Sequence, residues 1–307
     1  MPLPVEEIIS DLANTEKTLH SSKLVKLSNL SLEELELLKQ TWASIEPKRR
    51  RQVIYRLVEL AEDNVELDFN DIFKNCLKDS DAEVRGKAIE GLWESENSSL
   101  ISQFLNLLEQ DGVVNVQVAA ATALGKFAML AELNKLRSCY MTEIYRVLVG
   151  VITDKSRDIE VRRRALEAVA PLNLPQVEKA ISEAYHSHSR KIKISALYAM
   201  GKNCSRDWLP ILLKELSSTD AEVRYEAAGS CGELGEEEAV PYLMKLIADP
   251  DVDVQMAVLR ALSNIGGSEA KEYLQQSLNS PREAIRQAAA QALDELETED
   301  NLFPFGV

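Results

Sequence analysis

Apolar residues recur in one frame along most of this chain. An aliphatic anchor residue is followed by apolar positions four, seven and eight residues later, which places all of them on one stripe of an α-helix. The frame recurs at spacings of 31, 32, 45, 31, 31, 31 and 31 residues, so the sequence contains internal repeats. The anchors are Val53, Val84, Val116, Val161, Ile192, Val223, Val254 and Ile285.

A second amphipathic segment precedes seven of the anchored helices, which predicts helix-turn-helix repeats. These first helices are predicted at 71–77, 100–108, 142–152, 177–185, 208–216, 240–247 and 270–278. Short polar turns, such as Asp249-Pro250-Asp251, supply side chains that can cap the following helix. A single helix pair cannot bury its apolar stripe, so neighbouring pairs must stack. The pattern predicts an all-α fold, a right-handed α-solenoid (superhelix) of about eight helix-turn-helix repeats.

Small residues dominate particular positions of the anchored helix. Alanine is the commonest residue four and seven positions after the anchor, so the helix axes can approach closely. Gly125, Gly201 and Gly232 stand nine positions after their anchors. Because glycine in a helix costs about 1 kcal/mol relative to alanine, its recurrence indicates a tight contact between repeats or a helix end.

The pattern D-x-x-V-R-x-x-A-x-x-A-L-G, carried by 81–92 and 158–169, resembles HEAT repeats, in particular the short HEAT-like repeats of the phycobilisome lyase type. The resemblance covers 24–296 and implies an armadillo-like solenoid. It also implies a ladder of ion pairs between neighbouring repeats, from the Asp before the second helix to the Arg after the anchor. The acidic positions are Asp81, Asp158, Asp220 and Asp251, and the basic ones are Arg85, Arg162, Arg224 and Arg286. Breaks are expected where Val113, Ser189, Arg282, Gln117 and Gln255 replace them.

The repeats divide the chain into three segments. Residues 1–22 form an N-terminal tail or short helix, 23–296 form the solenoid, and 297–307 form an acidic and aromatic C-terminal tail. The longer step between Val116 and Val161 adds about 14 residues, which we interpret as an extension of two helices; a hinge or a partner-specific feature is the alternative.

A basic run, Lys48-Arg49-Arg50-Arg51, lies where later repeats carry Asp. We interpret it as a solvated helix start after Pro47. The alternative is a patch for an acidic partner, phosphate or RNA.

Charge and cysteine content restrict the function further. The chain has 35 Lys and Arg against 50 Asp and Glu, a net charge of −15, which opposes general binding of nucleic acid. Four dispersed cysteines predict small buried residues in a reducing compartment. Glu6 and Glu7 stand where a signal peptide is basic, and polar residues interrupt the apolar stretch 113–133. We expect a cytoplasmic protein without a membrane segment.

Candidate catalytic chemistry is sparse. No nucleotide-binding, serine-hydrolase or zinc-protease motif is present, and His20, His186 and His188 are the three histidines. The deoxyhypusine hydroxylases, built from similar repeats, imply recurring His-Glu pairs that hold two irons, yet each histidine here precedes Ser. His186 and His188 are the weak candidates for a metal. We expect no catalytic residue, cofactor or metal.

These features favour a noncatalytic scaffold or adaptor that binds a protein or peptide on the concave face of the solenoid. Two alternatives stay open: a HEAT-repeat enzyme or enzyme subunit, such as a bilin-lyase-like protein, and a nucleic-acid-binding HEAT-like protein. The identity of the partner and the oligomeric state are open as well.

A helical wheel locates the candidate surface. Positions two, six and ten residues after each anchor lie opposite the buried stripe and should face the groove. Three consecutive repeats place apolar or aromatic side chains there, which is typical of interfaces. The candidate partner-binding residues are Ile194, Tyr198, Tyr225, Met256 and Arg260; the alternative is that they pack on one another.

Overall fold

The computed structural model describes residues 5–14 and 16–302, which contain eighteen α-helices and no strand. The predicted all-α fold is confirmed. The helices are α1 (Val5–Leu12), α2 (Ser21–Leu24), α3 (Leu32–Trp42), α4 (Pro47–Asp63), α5 (Asn70–Cys76), α6 (Ala82–Gly91), α7 (Ser99–Gln110), α8 (Val114–Glu132), α9 (Ser138–Thr153), α10 (Ile159–Val169), α11 (Pro175–Tyr185), α12 (Arg190–Asn203), α13 (Leu209–Glu215), α14 (Ala221–Leu234), α15 (Val240–Leu243), α16 (Val252–Ile265), α17 (Gly267–Ser277) and α18 (Glu283–Leu302).

The eight anchors all lie on second helices, from Val53 on α4 to Ile285 on α18, and each is 6% exposed or less. A first helix precedes each of them: the seven that the sequence predicts are present, and α3 precedes the helix of Val53. The first helices α13 and α15 are short because each joins a 3₁₀ turn, at Arg206–Trp208 and Met244–Leu246 respectively. Burial of the anchors therefore fixes one register for all repeats.

Aspartate side chains cap the starts of four second helices in the described part of the chain. Asp81, Asp158, Asp220 and Asp251 each accept hydrogen bonds from backbone N–H groups two or three residues ahead. These bonds satisfy donors that lack a partner inside the helix. The turns thus begin the second helices as the sequence indicates.

The ladder between repeats exists, but the predicted acidic partner is wrong. Arg85 donates from Nε and Nη2 to Asp111 at 2.7 and 2.8 Å, and Arg224 donates in the same way to Asp249 at 2.7 and 2.8 Å. Both acceptors come two residues before the cap position of the next second helix. The cap aspartates Asp81 and Asp220 instead bond backbone N–H groups of their own helices and a different set of arginines.

The cap aspartates join a second set of ion pairs. Arg51 pairs with Asp81 at 2.8 Å and Arg190 pairs with Asp220 at 2.5 Å, and both arginines stand two residues before an anchor. At the expected breaks, Gln255 donates to the Asp249 carbonyl and Gln117 to that of Asp111. Arg162 and Arg286 likewise bond backbone carbonyls, of Ile152 and Ser280, so the first set of pairs does not extend through them.

The interpretation of Lys48–Arg51 as a solvated helix start is wrong for Arg49 and Arg50. Arg49 and Arg50 are buried, and Arg49 donates to the carbonyls of Leu12, Asn14 and Lys17. Arg50 pairs with Asp79 at 3.0 Å. These guanidinium groups fasten the N-terminal segment and the next turn to α4, because buried arginines need acceptors for their N–H groups.

Two glycines mark the closest approach of neighbouring second helices. A Cβ added to Gly201 on α12 would lie 2.9 Å from Ser230 Cα on α14, and one added to Gly232 would lie 2.6 Å from Ala261 Cα on α16. The predicted tight contact between repeats is confirmed at both positions. Ser230 also donates to the Leu197 carbonyl at 2.8 Å across the first contact.

Contacts divide the chain into two compact units. The first comprises Met1–Val147 and Ser156–Val161, and the second comprises Leu148–Lys155 and Arg162–Val307. Helices α8 and α9, at 19 and 16 residues, contain the added residues of the longer step, so that step does lengthen two helices.

Helix α8 is long and apolar enough by composition to cross a membrane. Within the first unit it packs on α6 and α7, with Leu124, Phe127 and Ala128 buried, as a core helix does.

The expectation that the cysteines are buried is confirmed for only two of them. Cys76 and Cys231 are buried, whereas Cys139 and Cys204 are exposed near helix ends. The aromatic tail at 303–307 lies outside the described residues.

Candidate binding grooves on the second helices

A polar groove of 230 Å³ crosses α12, α14 and α16 in the second unit. We call it the tyrosine groove, because two tyrosines on adjacent helices contribute to its wall and each remains 37% exposed. Its principal lining residues are Tyr198, Lys202, Tyr225, Glu226, Glu233 and Arg260.

Three of the five candidate residues lie together in this groove: Tyr198, Tyr225 and Arg260. Ile194 is 5% exposed, so the expectation that it faces solvent is wrong. Adjacent second helices cover both flanks of α12, and a wheel of one helix underestimates the buried arc. Met256 is half-buried and lies outside the lining of the groove. The surface is therefore more polar than the apolar strip that the sequence predicts.

Ion pairs occupy most charges around the groove. Lys202 pairs with Glu233 at 2.7 Å and lies 5.8 Å from the centre of the Tyr198 ring. On α10, Glu167 pairs with Arg164 at 2.6 Å and accepts a hydrogen bond from Ser195. These contacts hold the groove wall in place and leave few charges available to a ligand.

Glu226 differs from its neighbours. It makes no hydrogen bond or ion pair within the described part of the chain, although it lies inside the groove. Burial, together with the nearby carboxylates of Glu167 and Glu222, raises the pKa of Glu226 to about 7, against the opposing effect of Arg163 and Lys202. Burial and nearby carboxylates disfavour the charged form of a carboxyl group, so it keeps its proton to higher pH.

We expect this proton to make stability depend on pH. Between pH 4.5 and 7 the folded chain holds a proton on Glu226 that the unfolded chain has lost, so stability falls as pH rises. From pH 5 to pH 8 the wild type should lose roughly 1–3 kcal/mol more than Glu226→Gln. Urea unfolding followed by circular dichroism at each pH measures the difference. If the free energy of unfolding depends on pH in the same way in both proteins, the raised pKa of Glu226 is contradicted.

A second groove, of 800 Å³, lies in the first unit between α6, α7 and α8. We call it the tryptophan groove, since Trp93 is 61% exposed at its edge above Phe104 and Phe127. The sequence analysis missed it. Trp93 stands nine residues after its anchor, where three other repeats place glycine. This large residue at a position that favours glycine was the signal available in the sequence.

Comparison with known proteins agrees with this geometry. A sequence model of HEAT repeats matches residues 70–151 and 209–294, together more than half of the chain. The chain is a HEAT-repeat protein. The matched regions include the helices of the tryptophan groove and the helices α14 and α16 of the tyrosine groove.

Known relatives of this HEAT-repeat protein include enzymes. It is 34% identical to the deoxyhypusine hydroxylase of Drosophila melanogaster over 88 residues, which are 28% of this chain and 29% of that protein. The human deoxyhypusine hydroxylase structure, in complex with glycerol, is 18% identical, with 96% of this chain and 97% of that chain covered and a TM-score of 0.37.

The complex of CpcE and CpcF of phycocyanin lyase from Nostoc sp. PCC7120 is 16% identical. The alignment covers 96% of this chain and 98% of that chain, with a TM-score of 0.54. At this identity the likeness shows a shared fold.

Metal-ligating side chains do not gather in the described part of this HEAT-repeat protein, where no group of three His, Cys, Asp or Glu is placed to hold an ion. The weak candidate His186 instead has its Nδ1 2.8 Å from the Ser182 carbonyl and its ring against Tyr185. A backbone carbonyl therefore already contacts the Nδ1 atom of this imidazole.

Proposed function

We propose that this HEAT-repeat protein is a noncatalytic scaffold or adaptor, acting in the cytoplasm, that binds a segment of a partner protein in the tyrosine groove. One observation carries the proposal: Tyr198 and Tyr225 lie half-covered on adjacent second helices, with their remaining surface open to the groove. The solenoid would comprise 23–296, with the segments 1–22 and 297–307 flanking it.

Tyrosine is well suited to anchor a partner. Its ring buries a large apolar area at a small cost in side-chain entropy, and its hydroxyl group satisfies polar atoms at the rim. In the tyrosine groove the Tyr198 ring is already fixed by the α12 backbone and by Lys202. A prepositioned ring loses little freedom on binding, which favours affinity.

The size of the groove also favours a protein segment over a small cofactor. Sites for small organic ligands usually enclose about 300–1,000 Å³. The tyrosine groove, at 230 Å³, is smaller and open, which suits one or two inserted side chains of a larger partner.

We expect Tyr198→Ala and Tyr225→Ala each to weaken partner binding by about 1–3 kcal/mol, roughly 5- to 150-fold, with little change in melting temperature. Both side chains are partly exposed, so their removal leaves no large cavity. The measurement is affinity capture from native extract with the wild type and each variant. Mass spectrometry then identifies the proteins that the wild type retains and the variants do not.

Tyr242→Ala is the matched control. Tyr242 is 43% exposed, lies under Lys245 at 4.9 Å and belongs to the first helix α15, away from the groove. Its removal should leave capture unchanged. If Tyr242→Ala reduces capture as much as the groove variants, the proposed site is wrong.

Bilin handling is the enzymatic alternative, suggested by the phycocyanin lyase neighbour. The test is direct, because protein contacts alter the absorbance of a bilin. Mixing the purified protein with free bilin should leave the spectrum unchanged under our proposal, and a spectral change would support the alternative.

A further inference from the structure

Three tyrosines of the described chain share one arrangement: a lysine lies over the ring, and the same lysine pairs with a glutamate. The ammonium-to-centroid distances are 5.1, 5.2 and 5.8 Å, and the ion pairs measure 2.5, 2.9 and 2.7 Å. A cation held by a ring face and a carboxylate is favourable in this protein at each site. The sets are Tyr55, Lys87 and Glu90; Tyr185, Lys193 and Glu215; and Tyr198, Lys202 and Glu233.

Tyr225 lacks such a lysine, and it shares its groove with a carboxylate that no lysine pairs with in the described part of the chain. Its neighbour Glu226 lies in the same groove and makes no ion pair in the described part of the chain. Tyr225 stands two residues after its anchor, the position that Tyr55 occupies in its own repeat. Where Lys87 of the next repeat covers Tyr55, the corresponding residue beside Tyr225 is Ala257, which also lines the groove.

Two of the nearby cations are held by other groups, since Lys202 pairs with Glu233 and Arg163 donates to Ser195. Arg260 lines the groove from α16 and forms no ion pair with Glu226 within the described part of the chain. The charged and titratable groups facing Glu226 are Arg163 and Glu167 on α10, Tyr198 and Lys202 on α12, Tyr225, Glu222 and Glu233 on α14, and Arg260 on α16.

We infer that the tyrosine groove receives a cationic side chain, an arginine or lysine of the partner segment, which lies against Tyr225 and pairs with Glu226. This inference rests on the proposed function of the groove. Charge complementarity supports a basic occupant, since the groove offers an unpaired carboxylate and the whole chain carries a charge of −15. Arg260 remains available to a carbonyl or carboxylate beside the basic residue.

Cation binding should be linked to release of a proton. The cationic side chain of the partner competes with the proton on Glu226, whose pKa is raised to about 7. The ionised fraction of such a group rises about tenfold between pH 6 and pH 8, so the affinity for a cation should rise by about the same factor. Arginine itself does not titrate in this range.

A matched pair of peptides tests the inference on the full chain. The probes are acetyl-Gly-Arg-Gly-amide and its neutral isostere acetyl-Gly-citrulline-Gly-amide, titrated at pH 6 and pH 8 with affinity read from NMR shift changes. We expect the arginine peptide to bind about tenfold more tightly than the citrulline peptide at pH 8. Glu226→Gln, which keeps the shape of the side chain, should remove both the preference and its pH dependence.

Equal binding of the two peptides, or no binding of either at tens of millimolar, would overturn the inference. An undiminished arginine preference in Glu226→Gln would overturn it as well. Partner capture separates this failure from that of the proposed function. If Tyr225→Ala no longer captures the partner and Glu226→Gln still does, the groove binds a partner but the pairing of a cation with Glu226 is wrong. If neither variant affects capture, the proposed function falls too.

Discussion

Gly232→Ala should destabilise the second unit by about 2 kcal/mol, because the new methyl group would lie 2.6 Å from the Ala261 Cα. A backbone atom cannot rotate away as a side chain can, so α14 and α16 must separate. Thermal unfolding followed by circular dichroism should show a melting temperature about 4–8 °C lower.

Gly229→Ala on the same helix is the control. An added Cβ there meets no atom within 4 Å, so only the helix propensity changes, and we expect a gain of about 0.5–1 kcal/mol. The two substitutions are chemically identical and three residues apart. The close-contact explanation fails if Gly232→Ala is as stable as the wild type or if both variants shift in the same direction.

Arg224→Met should cost about 3–5 kcal/mol, since it leaves Asp249 buried without its partner. The side chains of Arg224 and Asp249 are only 11% and 3% exposed and share two hydrogen bonds. Arg190→Met removes a similar pair with Asp220, exposed to 55% and 30%, and should cost at most about 1 kcal/mol. Urea unfolding of both variants gives the comparison.

The effect of Arg224→Met should also depend on pH. Burial opposes ionisation of Asp249, yet the hydrogen bonds from Arg224 and from the Asp251 backbone hold the pKa of Asp249 below its usual value. A depressed carboxyl pKa stabilises the fold above the unfolded value and ceases to do so as pH falls through the folded one. The gap between wild type and variant should therefore narrow as pH falls below 4. If the difference in stability between wild type and variant does not change with pH, the stability lost in Arg224→Met comes from packing and not from the ion pair.

Periodicity predicted the fold well because burial of the anchor stripe determines it. The anchors Val53 to Ile285, the paired helices and the close contacts at Gly201 and Gly232 all depend on residue size and spacing, which a sequence displays directly. The ion pairs were harder to assign. Arg85 has acidic residues near it in several turns, and only the three-dimensional path of the turn selects Asp111.

The candidate site was predicted in part for the same reason. Tyr198 and Tyr225 were found because they interrupt a polar face, and Arg260 because it lies beside them. Glu226 was not found, since an acidic residue on a polar face is unremarkable in the sequence. What distinguishes it is the lack of a partner within the described structure. Ile194 was misplaced because a wheel of one helix cannot show what a neighbouring helix covers.

The close contact at Gly232 has a consequence for how such a chain can change length in evolution. Removing residues 223–253 would place Ala261 where Ser230 now stands, opposite Gly201. A glycine facing Ala261 is the pairing that Gly232 already makes. Loss or duplication of one 31-residue repeat would thus join surfaces that already fit, so natural selection could adjust the number of repeats in this array without inventing a new interface.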